Sequence, residues 1–371
     1  VLSTVLAMSS AAALNMSAYA DSTNTQQVSY NYWYNSSTGY TDENVHTRQM
    51  EKLDRGLIAI KTDGGVYLSW RLFDSEDNIF GSADKNVSFN VYRDGKKISE
   101  VATNTNYFDS TVGTNYSVAP VINGVEGEKC NPVTAYNNSY FDIPLSKPDD
   151  ETIYDPSGNE LATYSFFPAD CSTGDVDGDG EYEIIVKWTS SEHDVGSPGD
   201  PAYSGTVHLA AYKLDGTKLW KNDIALGKNV YSSAHTVQFL VYDFDGDGKS
   251  EVMCQTSLGS KDGQGKYVSN AAQTDEEIKA ITDEENSTAD YRGYGRITEG
   301  KEFLTVFNGE TGVAMDTINL PTTRGSENGV DYGDDFGNRS NRFVSDIAYL
   351  DGEKPYAIYL RGYYFGRNGK Q

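Results

Sequence analysis

Two acidic loops of matching sequence constrain the fold of this chain more than any other feature. GDVDGDGEYEIIVKW spans residues 174–188, and YDFDGDGKSEVMCQT repeats its pattern at residues 242–256. Carboxylates stand at positions 1, 3, 5 and 9 of each loop, and a glycine at position 6 turns the chain so that oxygens surround one cation. The predicted ligand positions are Asp175, Asp177, Asp179, Glu181 and Glu183 in the first loop, and Asp243, Asp245, Asp247, Lys249 and Glu251 in the second.

Calcium is the cation that fits these loops best, because it accepts six to eight oxygen ligands in flexible geometry. An EF-hand is excluded, since Val186 and Cys254 stand where it needs a glutamate and the flanking segments have the pattern of strands. At position 7, Lys249 has no side-chain oxygen, so its backbone carbonyl must serve. The alternative to a metal site is a pair of solvated Asp-Gly turns without a cation. The acid repeated at position 9 of both loops argues against this alternative. Residues 257–266, with Asp262, are either a third oxygen site or a plain turn.

A second repeat follows each acidic loop. GTVHLAAYKLDGTKLW (205–220) corresponds to KEFLTVFNGETGVAMD (301–316), and a degraded third unit begins at SDIAYLDGEKPYAIYLRGYY (345–364). A recurring unit of loop, strand and hairpin predicts an all-β chain whose residues 141–371 form a calcium-binding β-propeller. A ring needs more units than these, so we expect an incomplete propeller of about three blades. The acidic segment 271–290 is predicted to be a surface insertion with a short helix.

The preceding segment has the pattern of a small β-sandwich. Alternating strands cover residues 65–70 and 87–92, and hairpin signals occur at Asp94-Gly95 and Asn123-Gly124. We expect a fibronectin-III-like domain over residues 48–140, with Trp70 and Tyr116 in its core.

The first residues have the pattern of an export signal. An apolar stretch from Val1 to Leu14 precedes Ala18-Tyr19-Ala20, a small-x-small cleavage site, so residues 1–20 are interpreted as part of a signal peptide and residues 21–47 as a linker. The basic start of such a signal is absent, so we expect truncation at both ends of the chain. Secretion also suits calcium loops. Three cysteines match no zinc spacing, and buried or free thiols are favoured over one bridged pair.

The formal net charge of −25 limits the partners. Such a surface repels nucleic acid and anionic membranes, and it would repel an acidic polysaccharide too unless bound cations neutralise part of the charge. Calcium in the two loops would neutralise eight carboxylates. We expect a monomer.

The chain resembles the rhamnogalacturonan lyases of polysaccharide lyase family 11. The resemblance is collinear from about residue 48 to 364. Its segments are RQMEKLDRGLIAIKTDGGVYLSWR, VSFNVYRDG, TNYFD, GDVDGDGEYEIIVKW, AYKLDGTKLW, SSAHTVQFLVYDFDGDGKSEV, KDGQGK, ADYRGYGRI, FLTVFNGETG, DDFGNRSNRFVSDIAYLDG and RGYY. It implies a β-sheet domain before an eight-bladed propeller with several calcium ions. It also implies a rhamnogalacturonan endolyase, a carbon-oxygen lyase that breaks the α-1,4 bond from rhamnose to galacturonate in rhamnogalacturonan I of pectin by β-elimination.

That reaction sets chemical requirements. A base must remove the C5 proton, whose acidity rises only when the adjacent carboxylate is neutralised, and a proton must reach the leaving O4. The candidates in family-like segments are His235, Lys187 and Arg361, with Arg324, Arg339 and Arg342 beside them. A hydrogen-bonded structural histidine and structural ion pairs are the alternatives. The resemblance further implies that the main base lies in later blades.

Two positions depart from the family pattern. The asparagine and aspartate that the family commonly carries around the first loop, where they would help bind rhamnose, are replaced by Ala169 and Thr189. A non-catalytic, calcium-dependent carbohydrate-binding propeller is therefore the alternative function, and a quinoprotein dehydrogenase is a third. Trp188 is interpreted either as a sugar-stacking or as a core residue. The sequence leaves endo and exo action open.

Overall fold

The structure is a computed structural model that describes most of the chain. The described residues are 25–26, 48–49, 53–73, 76, 86–102, 104–154, 157–190, 205–230, 232–233, 236–270, 274–288, 300–324, 332–333 and 339–362. The predicted signal segment 1–20, nearly all of the linker 21–47 and His235 lie outside these residues.

Antiparallel strands account for most of the regular structure. In chain order they are β1 (Thr25–Gln26), β2 (Arg48–Gln49), β3 (Ile58–Thr62), β4 (Gly65–Ser69), β5 (Val87–Arg93), β6 (Lys96–Val101), β7 (Asn106–Asp109), β8 (Asn115–Ile122), β9 (Val125–Glu126), β10 (Val133–Thr134), β11 (Glu151–Tyr154), β12 (Glu160–Tyr164), β13 (Phe167–Gly174), β14 (Glu183–Thr189), β15 (His208–Tyr212), β16 (Ile224–Ala225), β17 (Phe239–Tyr242), β18 (Glu251–Ser257), β19 (Glu302–Phe307), β20 (Ala314–Asn319), β21 (Phe343–Ala348) and β22 (Tyr356–Arg361). A 3₁₀ turn covers Arg339–Asn341.

The first half forms two sheets around one core. The order is β3-β4-β7 in the smaller sheet and β10-β8-β5-β6 in the larger, where β9 also pairs with β8. Trp70 and Tyr116 are both buried, as predicted, and the indole ring meets the Phe89 ring edge-on at a centroid distance of 5.5 Å. Alternate residues of each strand point into this core, because side chains alternate between the two faces of a strand.

The two hairpin turns have the backbone that their sequences predict. Asp94 and Gly95 have φ angles of 50° and 79°, and Asn123 and Gly124 have φ angles of 52° and 80°. Two successive positive φ values match the right-handed twist of the flanking strands, and Asn-Gly and Asp-Gly adopt them readily.

The second half repeats one arrangement of strands. β13, β14, β15 and β16 form a four-stranded sheet in chain order, and β17, β18, β19 and β20 form a second. β21 and β22 begin a third as a hairpin, and β11 and β12 form a separate hairpin. Each acidic loop joins the first two strands of its four-stranded sheet, so the repeat predicted from the sequence is confirmed as a structural repeat.

These sheets pack face to face. Ile185 and Leu209 of the first sheet share one core with Val252, Cys254 and other residues of the second. The opposite face of the second sheet, through Met253 and Leu304, packs on Phe343 and Tyr359 of the third. All seven residues of β18 are therefore buried, as expected of a strand covered on both faces.

The insertion between β18 and β19 contains the α-helix of the described chain, α1 (Asp275–Thr288). Thr274 caps it: the N–H of Glu277 donates to its Oγ1, and its own N–H donates to the Glu277 carboxylate at 2.9 Å. Ile278 of the helix packs on Leu258 and Phe303, so the predicted short helix is confirmed. Within the described residues, no helix has the length and apolarity needed to cross a membrane. The three cysteines are free thiols.

Candidate metal sites and nearby basic residues

The backbone of the first loop fixes the carboxylate of Asp175. Its Oδ1 accepts a hydrogen bond from the N–H of Gly178 at 2.7 Å, and its Oδ2 accepts one from the N–H of Gly180 at 2.9 Å. Both glycines have positive φ angles, of 80° and 90°, which side chains would strain. The N–H of Val176 donates to the Glu183 carboxylate at 2.9 Å, which brings position 9 of the loop back to position 1.

The second loop repeats this geometry bond for bond. The N–H groups of Gly246 and Gly248 donate to the Asp243 carboxylate at 2.6 and 3.1 Å. The N–H of Phe244 donates to the Glu251 carboxylate at 2.8 Å. Two loops of different sequence at positions 2, 7 and 8 thus reach one conformation, because the shared aspartate and glycine positions determine it.

In each loop, positions 1, 3 and 9 bring their carboxylate oxygens together. The oxygens lie within 4.8 Å of one another in the set Asp175, Asp177, Glu183 and in the set Asp243, Asp245, Glu251. The position-5 carboxylates of Asp179 and Asp247 are not part of these sets, and each accepts the N–H of the residue two positions later. At position 7, the ammonium of Lys249 pairs with Glu310 at 2.6 Å and interacts with Asp247 of its own loop at longer range.

Burial makes these carboxylates costly to ionise without a cation. It raises the pKa of Glu251 to about 9, that of Glu183 to about 7 and that of Asp243 to about 6. Burial also raises the pKa of Asp175 and of Asp245. A divalent cation would remove this cost, and an all-oxygen donor set suits calcium, so the residues present fit that ion.

Lys213 is the residue near these loops that sequence reasoning missed. It follows β15, and its ammonium lies 2.5 Å from Asp177 Oδ2, 3.0 Å from Asp179 Oδ2 and 3.8 Å from Glu183 Oε1. Hydrogen bonds to the two aspartates raise the pKa of the Lys213 ammonium. The sequence repeat gave no signal for this role. Lys213 corresponds to Asn308 through strand pairing, since Tyr212 pairs with Ile184 of the first loop's sheet and Phe307 pairs with Val252 of the second.

The N-terminal segment lies against both acidic loops. A methyl group on Gly246 would meet the Gln49 side chain at 2.0 Å, and one on Gly180 would lie 3.7 Å from Asp54. The guanidinium of Arg71 sits 4.6 Å from the centre of the Tyr182 ring, within the first loop. The N-terminal half and the acidic loops are therefore in contact.

Lys187, predicted from the sequence as a catalytic candidate, is fully buried in β14. Its ammonium donates to the carbonyl oxygens of Thr236 at 2.8 Å and Val237 at 3.4 Å, with Asp170 at 3.9 Å. Burial lowers the pKa of this lysine. Val237 has a φ of 59°, rare for a β-branched residue, so the lysine ties down a strained segment directly after His235.

Arg361, the other basic candidate, is buried in an ion cluster. Its guanidinium binds both carboxylate oxygens of Glu302, at 2.8 and 2.9 Å, and the carbonyl of Thr322. Arg324 lies 3.2 Å from the same carboxylate and also binds Asn229. Two guanidinium groups thus share one buried carboxylate, and the cluster joins β19 to β22.

The positions that depart from the family pattern lie close together on neighbouring strands. Ala169 lies at a bulge in β13, between the partners of Trp188 and Lys187. Thr189 is buried at the end of β14 and pairs with Phe167.

The structure decides the two interpretations that the sequence left open, those of Trp188 and of residues 257–266. Trp188 is a core residue that packs with Phe166 and Tyr212. Asp262 is a turn residue, since its Oδ1 accepts the N–H groups of Gln264 and Lys266.

Two family models match the chain. The model described as "Rhamnogalacturonan I lyases beta-sheet domain" matches residues 48–136, and the model described as "Rhamnogalacturonan lyase family 11, C-terminal domain" matches residues 140–368.

Two curated proteins of Bacillus subtilis (strain 168) are similar over most of this chain. The chain is 45% identical to rhamnogalacturonan endolyase YesW over 321 residues, which is 85% of this chain and 46% of YesW. It is 42% identical to rhamnogalacturonan exolyase YesX over 323 residues, which is 85% of this chain and 47% of YesX. The chain therefore spans about half the length of the curated relatives it matches.

Solved structures of rhamnogalacturonan lyases are also similar to this chain. The crystal structure of YesW superposes with a TM-score of 0.67 at 44% identity, over 85% of this chain and 49% of that one. The Bacillus licheniformis rhamnogalacturonan lyase gives a TM-score of 0.67 at 44% identity, over 86% of this chain and 50% of that one. The all-β fold of this chain is thus the fold of known rhamnogalacturonan lyases.

Proposed function

The chain belongs to rhamnogalacturonan lyase family 11, and from that premise we propose that it acts in cleaving the rhamnogalacturonan I backbone of pectin. The observation that carries the proposal is the 45% identity to an endolyase over 321 residues. The family models cover the N-terminal sheets, both acidic loops and the third hairpin.

The proposed reaction is a β-elimination at galacturonate. A base removes the proton on C5, the electron pair forms a C4–C5 double bond, and the bond from C4 to O4 breaks. The leaving O4, which carries rhamnose, takes up a proton. C5 becomes acidic only where positive charge or hydrogen-bond donors neutralise the neighbouring carboxylate.

We propose that the two acidic loops hold calcium through Asp175, Asp177 and Glu183, and through Asp243, Asp245 and Glu251. Their buried, raised-pKa carboxylates support this assignment. Bound calcium would fix the loops between the strands and reduce the negative charge that repels an acidic polymer. The two four-stranded sheets and the third hairpin are proposed as the first blades of a β-propeller, for which their chain-order strands argue.

The basic candidates take different roles in this proposal. Lys187 holds the Thr236 and Val237 carbonyls, so it is a positioning residue for these two residues, which follow His235 in the sequence. Arg361 balances Glu302 and joins two sheets. His235, which lies outside the described residues, is kept as a catalytic candidate. Export through residues 1–20 also remains our proposal, on the strength of the apolar stretch and the Ala-Tyr-Ala site.

The test is an absorbance assay on the full-length protein that contains this chain. A 4,5-unsaturated uronate absorbs in the ultraviolet, so incubation with rhamnogalacturonan I should give a rising signal that a chelator abolishes and calcium restores. Homogalacturonan, which lacks rhamnose, is the matched control and should give no signal. Product length then separates endo from exo cleavage, which are the activities of YesW and YesX respectively.

Ala169 and Thr189 favour a second candidate, a calcium-dependent carbohydrate-binding protein without catalysis. The two residues lack the amide and carboxylate groups that would bind rhamnose. Binding to rhamnogalacturonan I without any unsaturated product would support this candidate and overturn the lyase.

A further inference from the structure

The two acidic loops have the same backbone but different cationic neighbours. At the first loop, the ammonium of Lys213 lies within 4 Å of Asp177, Asp179 and Glu183, which are positions 3, 5 and 9. At the second loop, Asn308 stands at the corresponding place, directly after β19. It carries no charge, and its side-chain oxygen accepts the N–H of Thr311 within its own turn.

In the described residues, the second loop makes no close ion pair with its own lysine, which interacts with Asp247 only at longer range. The ammonium of Lys249 is held by Glu310 at 2.6 Å, outside the carboxylate set. In the described part of the chain, no lysine or arginine comes within 4 Å of the Asp243, Asp245, Asp247 or Glu251 carboxylates. Asp243 and Glu251 are nevertheless almost completely buried, at 0% and 1% exposed.

An ammonium and a calcium ion compete for the same oxygens. Calcium needs six to eight oxygen ligands at about 2.3–2.6 Å, so it can bind the first loop only after Lys213 has left Asp177 and Glu183. Displacing the lysine breaks close ion pairs and places a like charge beside the metal. Each of these costs lowers the affinity for calcium, and neither arises in the second loop.

We propose that Lys213 is an internal competitor that makes the first loop the weaker of two calcium sites, so that calcium fills the second loop first. This inference rests on the proposed calcium role of the loops. When calcium fills only the second loop, the ion neutralises the carboxylates of that loop, and the Lys213 ammonium neutralises those of the first. The chain then keeps its first loop folded at calcium concentrations too low to fill it.

The test is a calorimetric calcium titration of the chelator-stripped full chain. We expect two classes of site whose dissociation constants differ at least about tenfold, which corresponds to about 1.4 kcal/mol. Asp245→Asn should remove the tight class and Asp177→Asn the weak class. Lys213→Met keeps most of the side-chain length without the charge, and it should tighten the weak class about tenfold or more.

Two variants serve as matched controls. Lys213→Arg keeps the positive charge and should leave the weak class weak. Asn308→Lys places the lysine beside the second loop and should weaken the tight class, without affecting the weak one. Far-ultraviolet circular dichroism of each stripped variant checks that the chain is folded before the titration.

The outcomes separate this inference from the proposed function. Equal affinities that Lys213→Met leaves unchanged would overturn the inference but keep the calcium sites. Loss of the weak class in Asp245→Asn instead of Asp177→Asn would reverse the assignment and also overturn it. Calcium binding at neither loop would contradict the calcium role itself, independently of lyase activity.

Discussion

The backbone N–H of Ser250 donates a 2.7 Å hydrogen bond to the carbonyl oxygen of Asp175. This bond joins the two acidic loops, because Asp175 is the first residue of one and Ser250 precedes the last carboxylate of the other. Gly309 fits tightly beside it: a methyl group there would lie 1.9 Å from the Ser250 carbonyl oxygen. The loops are therefore packed together at this contact, and a change in the contact itself should affect both loops.

Gly309→Ala tests this packing. The added methyl group must push the Ser250 backbone away from Val176, so we expect a loss of about 1–3 kcal/mol in the free energy of unfolding. Calcium affinity should fall at both loops together. Urea unfolding and a calcium titration measure the two effects. Gly127→Ala is the control, since its methyl group would meet only the edge of Pro120 at 3.1 Å, and a loss equal to that of Gly309→Ala would refute the packing argument.

The pH dependence of stability should reveal the buried carboxylates. Glu251 has a folded-state pKa raised by burial to about 9 from an ordinary 4.5, so between these values the folded chain holds a proton that the unfolded chain has lost. The free energy of unfolding contributed by this group therefore falls as pH rises through that window. We expect the chelated chain to melt at a lower temperature at about pH 8 than at about pH 6. Calcium, which binds the ionised form, should remove most of the difference.

At each pH, the melting temperature in calcium is compared with that in chelator. The difference reports the acidic loops, because other titrating groups such as Lys187 are present in both samples. Glu251→Gln supplies the control, since the amide carries no charge at any pH. Its melting temperature should depend less on pH in chelator and respond less to calcium. A pH dependence that this variant retains in full would contradict the assignment to Glu251.

The sequence predicted the local parts of the fold and of the site. Asp94-Gly95 and Asn123-Gly124 form the expected turns, because a turn depends on the conformational preferences of two residues. Positions 1, 3 and 9 of the acidic loops come together as their spacing predicted, because the loop closes on itself through its own backbone.

What the sequence could not give is the set of contacts that sheet pairing creates. Lys213 reaches the first loop only because β15 pairs beside β14. Arg324 and Arg361 meet at Glu302 from three separate segments, and no spacing rule encodes such a meeting. The burial of Lys187 could not be predicted from the sequence either, because it requires the second sheet to cover β14.

Lys187→Met tests the buried ammonium. Methionine fills similar space but donates no hydrogen bond, so the carbonyl oxygens of Thr236 and Val237 lose a buried partner. We expect a loss of about 1–3 kcal/mol in the free energy of unfolding. If Lys187 positions the His235 segment, the lyase rate should fall further than stability explains, with little change in substrate affinity. Lys97→Met, at an exposed pair with Glu100, is the control and should change neither.

Glu302→Gln tests the ion cluster that joins the second and third sheets. The amide keeps the shape of the carboxylate but removes the negative charge that the buried guanidinium groups of Arg361 and Arg324 share, so we expect a loss of about 3–5 kcal/mol in the free energy of unfolding. Urea unfolding of the full chain measures it. The control is Glu310→Gln, whose pair with Lys249 is half exposed and should be worth about 0–1 kcal/mol. If both variants unfold at the same urea concentration, the cluster is not what holds β22 to β19, and the apolar contacts of Phe343 and Tyr359 alone must do so.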